Sequence, residues 1–361
     1  QYGAINLSQG FPDFDPPQEI MDALAKAAYE GPHQYSITFG AENFREALAR
    51  KQGRAIGRTI DPDKEIVVTC GGTEAMMCAM MTICNPGDKV MVFSPFYENY
   101  GADAILSGAD PIYIPLVPPE YHFDMSLVEK EFQDGAKAII VCNPSNPCGK
   151  VFSREELMGI GELAVKYDAF VVTDEVYEHM VYAPYHHTCM ASLPGMYEHT
   201  ITCNSLSKTY SITGWRLGYC CGPAAIIQQM TKIHQFAIMC APTTSQYAAL
   251  EALTSPVRDE EIAVMREEYD ARRTLMVEGF RKMGLSVAEP EGAFYVFPDI
   301  RKTGLTSEEF CNRLLQEQKV AVIPGNAFGT CGEGFVRCSY AYSQDVIRAC
   351  LEKIAEFVAQ F

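Results

Sequence analysis

The 361-residue sequence has no apolar run approaching the roughly 18 to 20 residues that would span a bilayer, and its longest hydrophobic stretches are only strand length. A membrane protein is therefore not expected. Nor does it contain a Lys/Arg-rich block, and its formal net charge is −17. Neutralising the phosphates of a nucleic acid takes a basic face, so the charge argues against that class of partner, and any bound anion must meet local positive charge. No C-x-x-C pair occurs among the fourteen cysteines, and the seven histidines show no ligand spacing. His186 and His187 read as a solvated loop, and no metal is expected. The cysteines are scattered, two of them adjacent at Cys220 and Cys221, which does not suit a disulfide framework and points to a reduced, cytoplasmic setting. Repeats and low-complexity linkers are also missing. The chain opens at Gln1 rather than methionine, which leaves room for a segment ahead of it.

What is present is a chain that is 48% hydrophobic, enough for a large core and one or two domains. Short β-branched or apolar runs recur at 66–70, 89–93, 138–142, 169–173, 200–204 and 216–221. Helix-like segments separate several of them, which predicts an α/β fold with a largely parallel sheet flanked by helices. The stretch 153–167 is the clearest crossover helix: Ser153 and Glu156 form a capping box, and Leu157, Ile160 and Ala164 share a face. Beyond about residue 250 the texture changes to a long charged helix over 257–284, three short strands and a closing helix over 344–361, a smaller α+β domain. The N-terminal arm is loop-rich and too short to fold alone. The expected division is therefore a large domain over 32–250, with 1–31 and 251–361 forming the small one.

Polar motifs stand where the predicted strands end: Gly71-Gly72-Thr73, Ser94-Pro95, Asn143 to Gly149, Asp174, and Ser205 to Lys208. Open parallel sheets bind ligands beyond the carboxyl ends of their strands, so a site is expected there. "GIGELA" (159–164) matches a dinucleotide fingerprint, but its glycines sit inside the capped helix instead of opening one after a strand. "CGGTEAMMCAMMTIC" (70–84) passes that test. Its glycines turn the backbone into a helix whose free N–H groups suit an anion, although an unliganded turn has the same sequence. The methionines that follow read as core.

Asp174 ends an apolar strand, where a carboxylate needs either a helix to cap or a cationic partner such as a protonated ring nitrogen. Tyr177, three residues on, can share its cleft. In "SLSKTYSITGWRLGY" (205–219), Ser205, Ser207 and Arg216 are the donors a phosphate wants. Lys208 among them is a further phosphate ligand, an exposed lysine or an amine nucleophile for a carbonyl. Taken together, a phosphate cradle, a carboxylate for a ring nitrogen and a lysine for a carbonyl are the handles of pyridoxal 5′-phosphate.

The chain resembles the fold-type I, class I/II pyridoxal-phosphate aminotransferases, in the branch holding aromatic, aspartate and kynurenine/glutamine transaminases. The motifs that carry the likeness run in order along the whole chain: "NLSQGFPDF", "YSITFGAENFREALA", "CGGTEAM", "SPFYENY", "NPSNPCG", "DEVY", "SLSKTYSITGWRLGY", "GAFYVFP", "PGNAFG" and "FVRCSYA". The resemblance implies that Lys208 is the Schiff-base lysine and that Asp174 pairs with the pyridinium nitrogen. It implies that Asn146 and Tyr177 donate to the phenolic oxygen and that Tyr97 stacks on the ring. Gly72, Thr73, Ser205, Ser207 and Arg216 would hold the phosphate, with Tyr35 reaching in from a neighbouring subunit, so a homodimer is implied. Arg337, helped by Asn146 and the backbone at Gly10, would clamp the substrate α-carboxylate.

The implied activity is a ping-pong amino transfer between an L-amino acid and a 2-oxo acid. Dicarboxylate-selective relatives often carry lysine where this chain has Thr73, which tilts the expected substrate toward neutral or aromatic amino acids. A C–S β-lyase shares the early chemistry and the motifs. A non-catalytic sensor domain is the alternative of another class; such domains accompany a DNA-binding region, whereas this acidic sequence opens directly on the motif "NLSQGFPDF".

Overall fold

The computed structural model describes residues 3–361; Gln1 and Tyr2 of the expected arm lie outside the described residues. Strand β1 (Ile5–Asn6) is followed by helices α1 (Gln18–Glu30) and α2 (Glu42–Ile56). The large sheet then takes β2 (Ile66–Thr69), β3 (Lys89–Ser94), β4 (Asp110–Pro115), β5 (Ala136–Cys142), β6 (Phe170–Asp174), β7 (Thr200–Ser205) and β8 (Gly218–Cys221). Their order across the seven-stranded sheet is β2-β8-β7-β6-β5-β3-β4. Neighbouring strands are parallel except at β8, which runs antiparallel to both β2 and β7.

Helices α3 (Gly71–Ile83), α4 (Asn99–Leu106), α5 (Met125–Gln133) and α6 (Arg154–Lys166) cross between these strands, and α7 (Ala224–Ala237) and α8 (Thr243–Thr254) follow the last of them. The fold is α/β with a mostly parallel sheet, as the strand rhythm predicts.

The central strands are apolar because both of their faces are covered. On β5, Ile139 and Val141 pack against Leu157, Ile160 and Ala164 of α6. The alternate residues Ala138 and Ile140 pack with Met76, Ala79 and Met80 of α3 on the other face. Full burial of each such Ile, Val, Leu or Met side chain is worth roughly 1.5–3 kcal/mol. The predicted capping box of α6 is present, with Ser153 and Glu156 each accepting from the other's backbone N–H. The expectation that the Met-rich stretch is core holds for Met76 and Met80 and fails for Met81, which is exposed on the opposite side of α3.

The remainder comprises α9 (Arg258–Lys282), β9 (Tyr295–Val296), α10 (Ser307–Gln318), β10 (Val320–Ala321), β11 (Ile323–Pro324), β12 (Val336–Ser339) and α11 (Gln344–Val358). β11, β12 and β9 form an antiparallel sheet in that order. The arm joins this part: β1 pairs in parallel with β10, and the Ser339 N–H donates to the Leu7 carbonyl. That pairing carries Ser8 and Gly10 toward the carboxyl edge of the large sheet.

Candidate active site

A cavity of about 430 Å³ opens at the carboxyl ends of β2, β6 and β7. The strand-end motifs converge on it, and so do the arm and β12. Of the residues singled out in the sequence, Gly72, Thr73 and Tyr97 line one part of the wall, Asn146, Asp174 and Tyr177 another. Ser205, Ser207, Lys208 and Arg216 lie along a third, and Gly10 and Arg337 close it from the arm and the small sheet. Tyr35 does not line the cavity of its own chain; it sits between α1 and α2 and is 76% exposed.

Lys208 follows β7 directly, and its ammonium donates to the Gly10 carbonyl at 2.6 Å. Gly10 thus enters through its C=O, and its Cα lies against the Tyr295 hydroxyl, only 1.9 Å from where a Cβ would stand. Burial is the main cause that brings the Lys208 amine down to about 8; Arg216 and Arg337 add to the effect and Asp174 opposes it.

Asp174, the last residue of β6, accepts from the Tyr100 hydroxyl at 2.7 Å and from the Val176 N–H at 3.2 Å. Burial raises its carboxyl above the ordinary value, with the Tyr100 hydrogen bond and Lys208 opposing. Tyr177 shares a hydrogen bond of 3.0 Å with Tyr295. Burial, then the neighbouring Glu98, pushes the Tyr97 phenol up to about 12, so it is neutral at physiological pH.

The serines and the arginine form one cup. The Ser205 hydroxyl lies 2.7 Å from both the Ser207 hydroxyl and the Leu217 carbonyl. Arg216, left-handed at φ 55, donates to the carbonyls of Thr213 and Cys70 at 3.0 and 3.4 Å. Gly71 (φ +81) must be glycine twice over, since a Cβ there would also lie 2.3 Å from the Arg216 guanidinium. Three cations and the start of a helix therefore surround a cavity in a strongly acidic chain, an arrangement that suits an anion.

Arg337 donates to the Asn146 side chain and the Ser8 carbonyl, both at 2.9 Å, and lies over the Tyr295 and Phe328 rings. Its Nε is buried with no hydrogen-bond partner among the described residues. A guanidinium held on two sides and left with a donor to satisfy suits a carboxylate.

Sequence reasoning did not single out Tyr100, Tyr295, Ser8 or Phe11. Tyr100 had a local signal, three residues after Tyr97 where a helix begins; Tyr295 reaches the cavity only through the small sheet. The reading of His186 and His187 as a solvated loop holds for exposed His186 and fails for His187, whose Nε2 lies 3.4 Å from buried Glu175. Glu175, Glu178 and His187 bring their polar atoms within 4.8 Å of one another. Glu178 there is already engaged by the Lys51 ammonium and the Asn204 amide.

A family model described as aminotransferase class I and II matches residues 2–354. An aspartate aminotransferase of Pyrococcus abyssi is 38% identical over 99% of this chain and 92% of its own. Aromatic-amino-acid aminotransferase 2 of Thermococcus litoralis is 36% identical with the same coverages, 99% and 92%. The crystal structure of an aromatic aminotransferase from Pyrococcus horikoshii superposes with a TM-score of 0.96 at 38% identity, covering 99% of this chain and 96% of that one. With sequence and fold agreeing from end to end, the chain belongs to the class I and II aminotransferases and is an enzyme that transfers the amino groups of amino acids.

Proposed function

We propose that the cavity binds pyridoxal 5′-phosphate and that the chain moves the amino group of a neutral or aromatic L-amino acid to a 2-oxo acid by a ping-pong sequence. The observation that carries this is Lys208: a half-buried primary amine lining the cavity, brought down to about 8 and held by a single carbonyl, among Asp174, the serines and Arg216. The residues fit the cofactor. Ser205, Ser207 and Arg216, with the N–H groups of Gly72 and Thr73 at the start of α3, bind its phosphate. Tyr97 would cover the ring face, and Asn146 and Tyr177 would reach its phenolic oxygen.

Bound there, the cofactor supplies an electron-accepting ring that makes the substrate Cα–H acidic. Asp174 holds a proton on the ring nitrogen, and at an effective dielectric of about 20 that attraction is roughly four times its strength in water. Lys208 would take the proton from Cα and return it to the cofactor's carbon on the other side of the amino nitrogen, a task that needs an amine with a pKa close to neutral. Arg337 and Asn146 bind the α-carboxylate and set the Cα–H toward Lys208. One carboxylate clamp serves both substrates, so the first 2-oxo acid leaves before the second arrives.

The preference for neutral or aromatic side chains is supported by the wall. Phe11, Tyr97, Val176, Tyr295 and Ile323 line it, and its cations among the described residues are Lys208, Arg216 and Arg337, each with a task already. Thr73 offers no charge to a distal carboxylate, and Glu98 at the rim repels one. A symmetric homodimer, with Tyr35 completing the partner's phosphate site, is supported by the exposure of Tyr29, Tyr35 and Phe236. The division into a large domain over 32–250 and a small one from 1–31 and 251–361 is part of the same reading. A reducing cytoplasmic setting is supported by cysteines that are all free among the described residues.

The test is a panel of twenty amino acids scored by loss of the linked cofactor's visible absorption, for wild type and Lys208→Ala. Phenylalanine, tyrosine, methionine or glutamine is expected to react fastest, and the variant is expected to show neither the linked band nor transfer. An unchanged band in the variant would sink the assignment of Lys208. Aspartate as the best donor would overturn the preference, and pyruvate released from cystathionine without a 2-oxo acid would make the chain a lyase.

A further inference from the structure

One buried ionisable pair beneath the first turn of α3 has no part in the roles above. His234 of α7 is fully buried, and its Nδ1–H donates to Glu74 at 2.7 Å. Its Nε2 is buried with no hydrogen-bond partner among the described residues. The second oxygen of Glu74 accepts the Cys70 N–H, and the Cys70 carbonyl accepts from Arg216 at 3.4 Å. Cys70 is thereby tied on its amide side to Glu74 and on its carbonyl side to the arginine of the anion cup.

A carboxylate at a helix start is favoured by the dipole, but here it competes with a phosphate for the same positive end. Both Glu74 oxygens are engaged, one by His234 and one by Cys70, and Glu74 does not line the cavity although Gly72, Thr73 and Met76 around it do. His234 on one oxygen and the Cys70 N–H on the other hold this carboxylate against the backbone, beside the cavity rather than in it.

We propose that Glu74 and His234 are positioning residues for the phosphate cup, fixing the Cys70 peptide and through it the Arg216 guanidinium and the opening N–H groups of α3. This assignment rests on the reading of the cavity as a pyridoxal-phosphate site. It extends the cup to a layer that touches neither cofactor nor substrate.

The test uses the chain's single tryptophan, Trp215, which precedes Arg216, as a fluorescence reporter of pyridoxal-phosphate binding to the cofactor-free enzyme. For His234→Ala the dissociation constant is expected to rise about tenfold, equivalent to ~1.4 kcal/mol. The turnover number at saturating cofactor and the KM for the amino acid are expected to stay within about twofold, since neither residue touches the substrate. His234→Asn, which keeps an N–H donor near the place of Nδ1, is expected to recover most of the affinity. Glu74→Ala is expected to match His234→Ala, and the double variant to be no worse than Glu74→Ala alone, because one connection has been cut twice.

A pair that only supports the fold would instead lower the melting temperature equally with and without cofactor and leave the dissociation constant unchanged. That result, or additive losses in the double variant, overturns the proposal. Should His234→Ala fail to fold, Glu74→Gln carries the test: it keeps the volume but not the charge, so cofactor binding is expected to weaken several-fold, and wild-type affinity would overturn the proposal. Failure of the wild-type enzyme itself to bind pyridoxal phosphate would remove the functional reading, and this one with it.

Discussion

Lys208 shows how a functional residue costs stability. An ordinary lysine titrates near 10.5, and burial brings this one down to about 8. Between those values the unfolded chain keeps a proton that the folded chain has released, so stability rises with pH across that window. Below about 8 both states hold the proton, and the fold bears the whole cost of burying the charge. Cofactor-free Lys208→Met is therefore expected to be more stable than wild type at pH 7 by ~1–3 kcal/mol, with the advantage shrinking as pH passes 8. Denaturant melts at pH 7 and at pH 10 measure both numbers. The rate at which the cofactor-free enzyme captures pyridoxal phosphate is expected to climb with pH to half its maximum near 8, where the free amine reaches half its population. Asp174→Asn would leave the ring nitrogen without a counter-charge, and a fall in turnover of roughly 10²- to 10⁴-fold is expected with little change in KM.

At the scale of elements, the glycines where β2 and β8 meet set the dimensions of the anion cup. A Cβ on Gly218 would stand 2.4 Å from the Gly71 carbonyl carbon, a contact with rigid backbone. Gly218→Ala is expected to destabilise the chain by about 1–3 kcal/mol and to weaken cofactor binding, read by melting and by titration. Ser153→Ala removes the cap of α6 without touching the lining of the cavity; a loss of about 1 kcal/mol with unchanged kinetics is expected.

The same elements mark what a sequence can reveal. Central strands were legible because burial on both faces demands unbroken apolar runs. β4 was not, since this edge strand begins and ends beside Pro111 and Pro115 and exposes several of its residues, which removes the hydrophobic signal. The reversal of β8 has no local signature, because strand direction is decided by which neighbours accept its hydrogen bonds. In the site, Lys208, Asp174 and Arg216 stand in motifs with local grammar. Tyr295, Glu74 and His234 matter only through partners distant in sequence, His234 and Glu74 being 160 residues apart.

For the whole molecule, the exposed Tyr35 makes assembly testable through function. Cofactor-free Lys208→Ala and Tyr35→Phe chains, unfolded and refolded together, would form mixed dimers in which one site holds both Lys208 and Tyr35. About a quarter of the wild-type complement of sites is then expected, read as activity at limiting cofactor. Separate refolding of the two variants gives no such recovery if the dimer shares its sites. Sedimentation at twice the 40.0 kDa chain mass is the accompanying physical check.

The reversed strand β8 has a consequence for the order in which the molecule comes apart. Because β7 and β8 pair as antiparallel neighbours in the large sheet, with Ser205 directly opposite Gly218, and β2 pairs with β8 on its other side, the serines, Lys208, Arg216 and the start of α3 all stand on one sheet. Arg337 meets Asn146 across 191 residues, and only when the small sheet is docked. Short-range contacts close with little loss of chain entropy and distant ones with much. As denaturant rises, the clamp for the substrate carboxylate, which needs the small sheet docked, is therefore expected to fail while the cup, carried on the large sheet alone, still stands, leaving an enzyme that keeps its colour after it has lost its substrate.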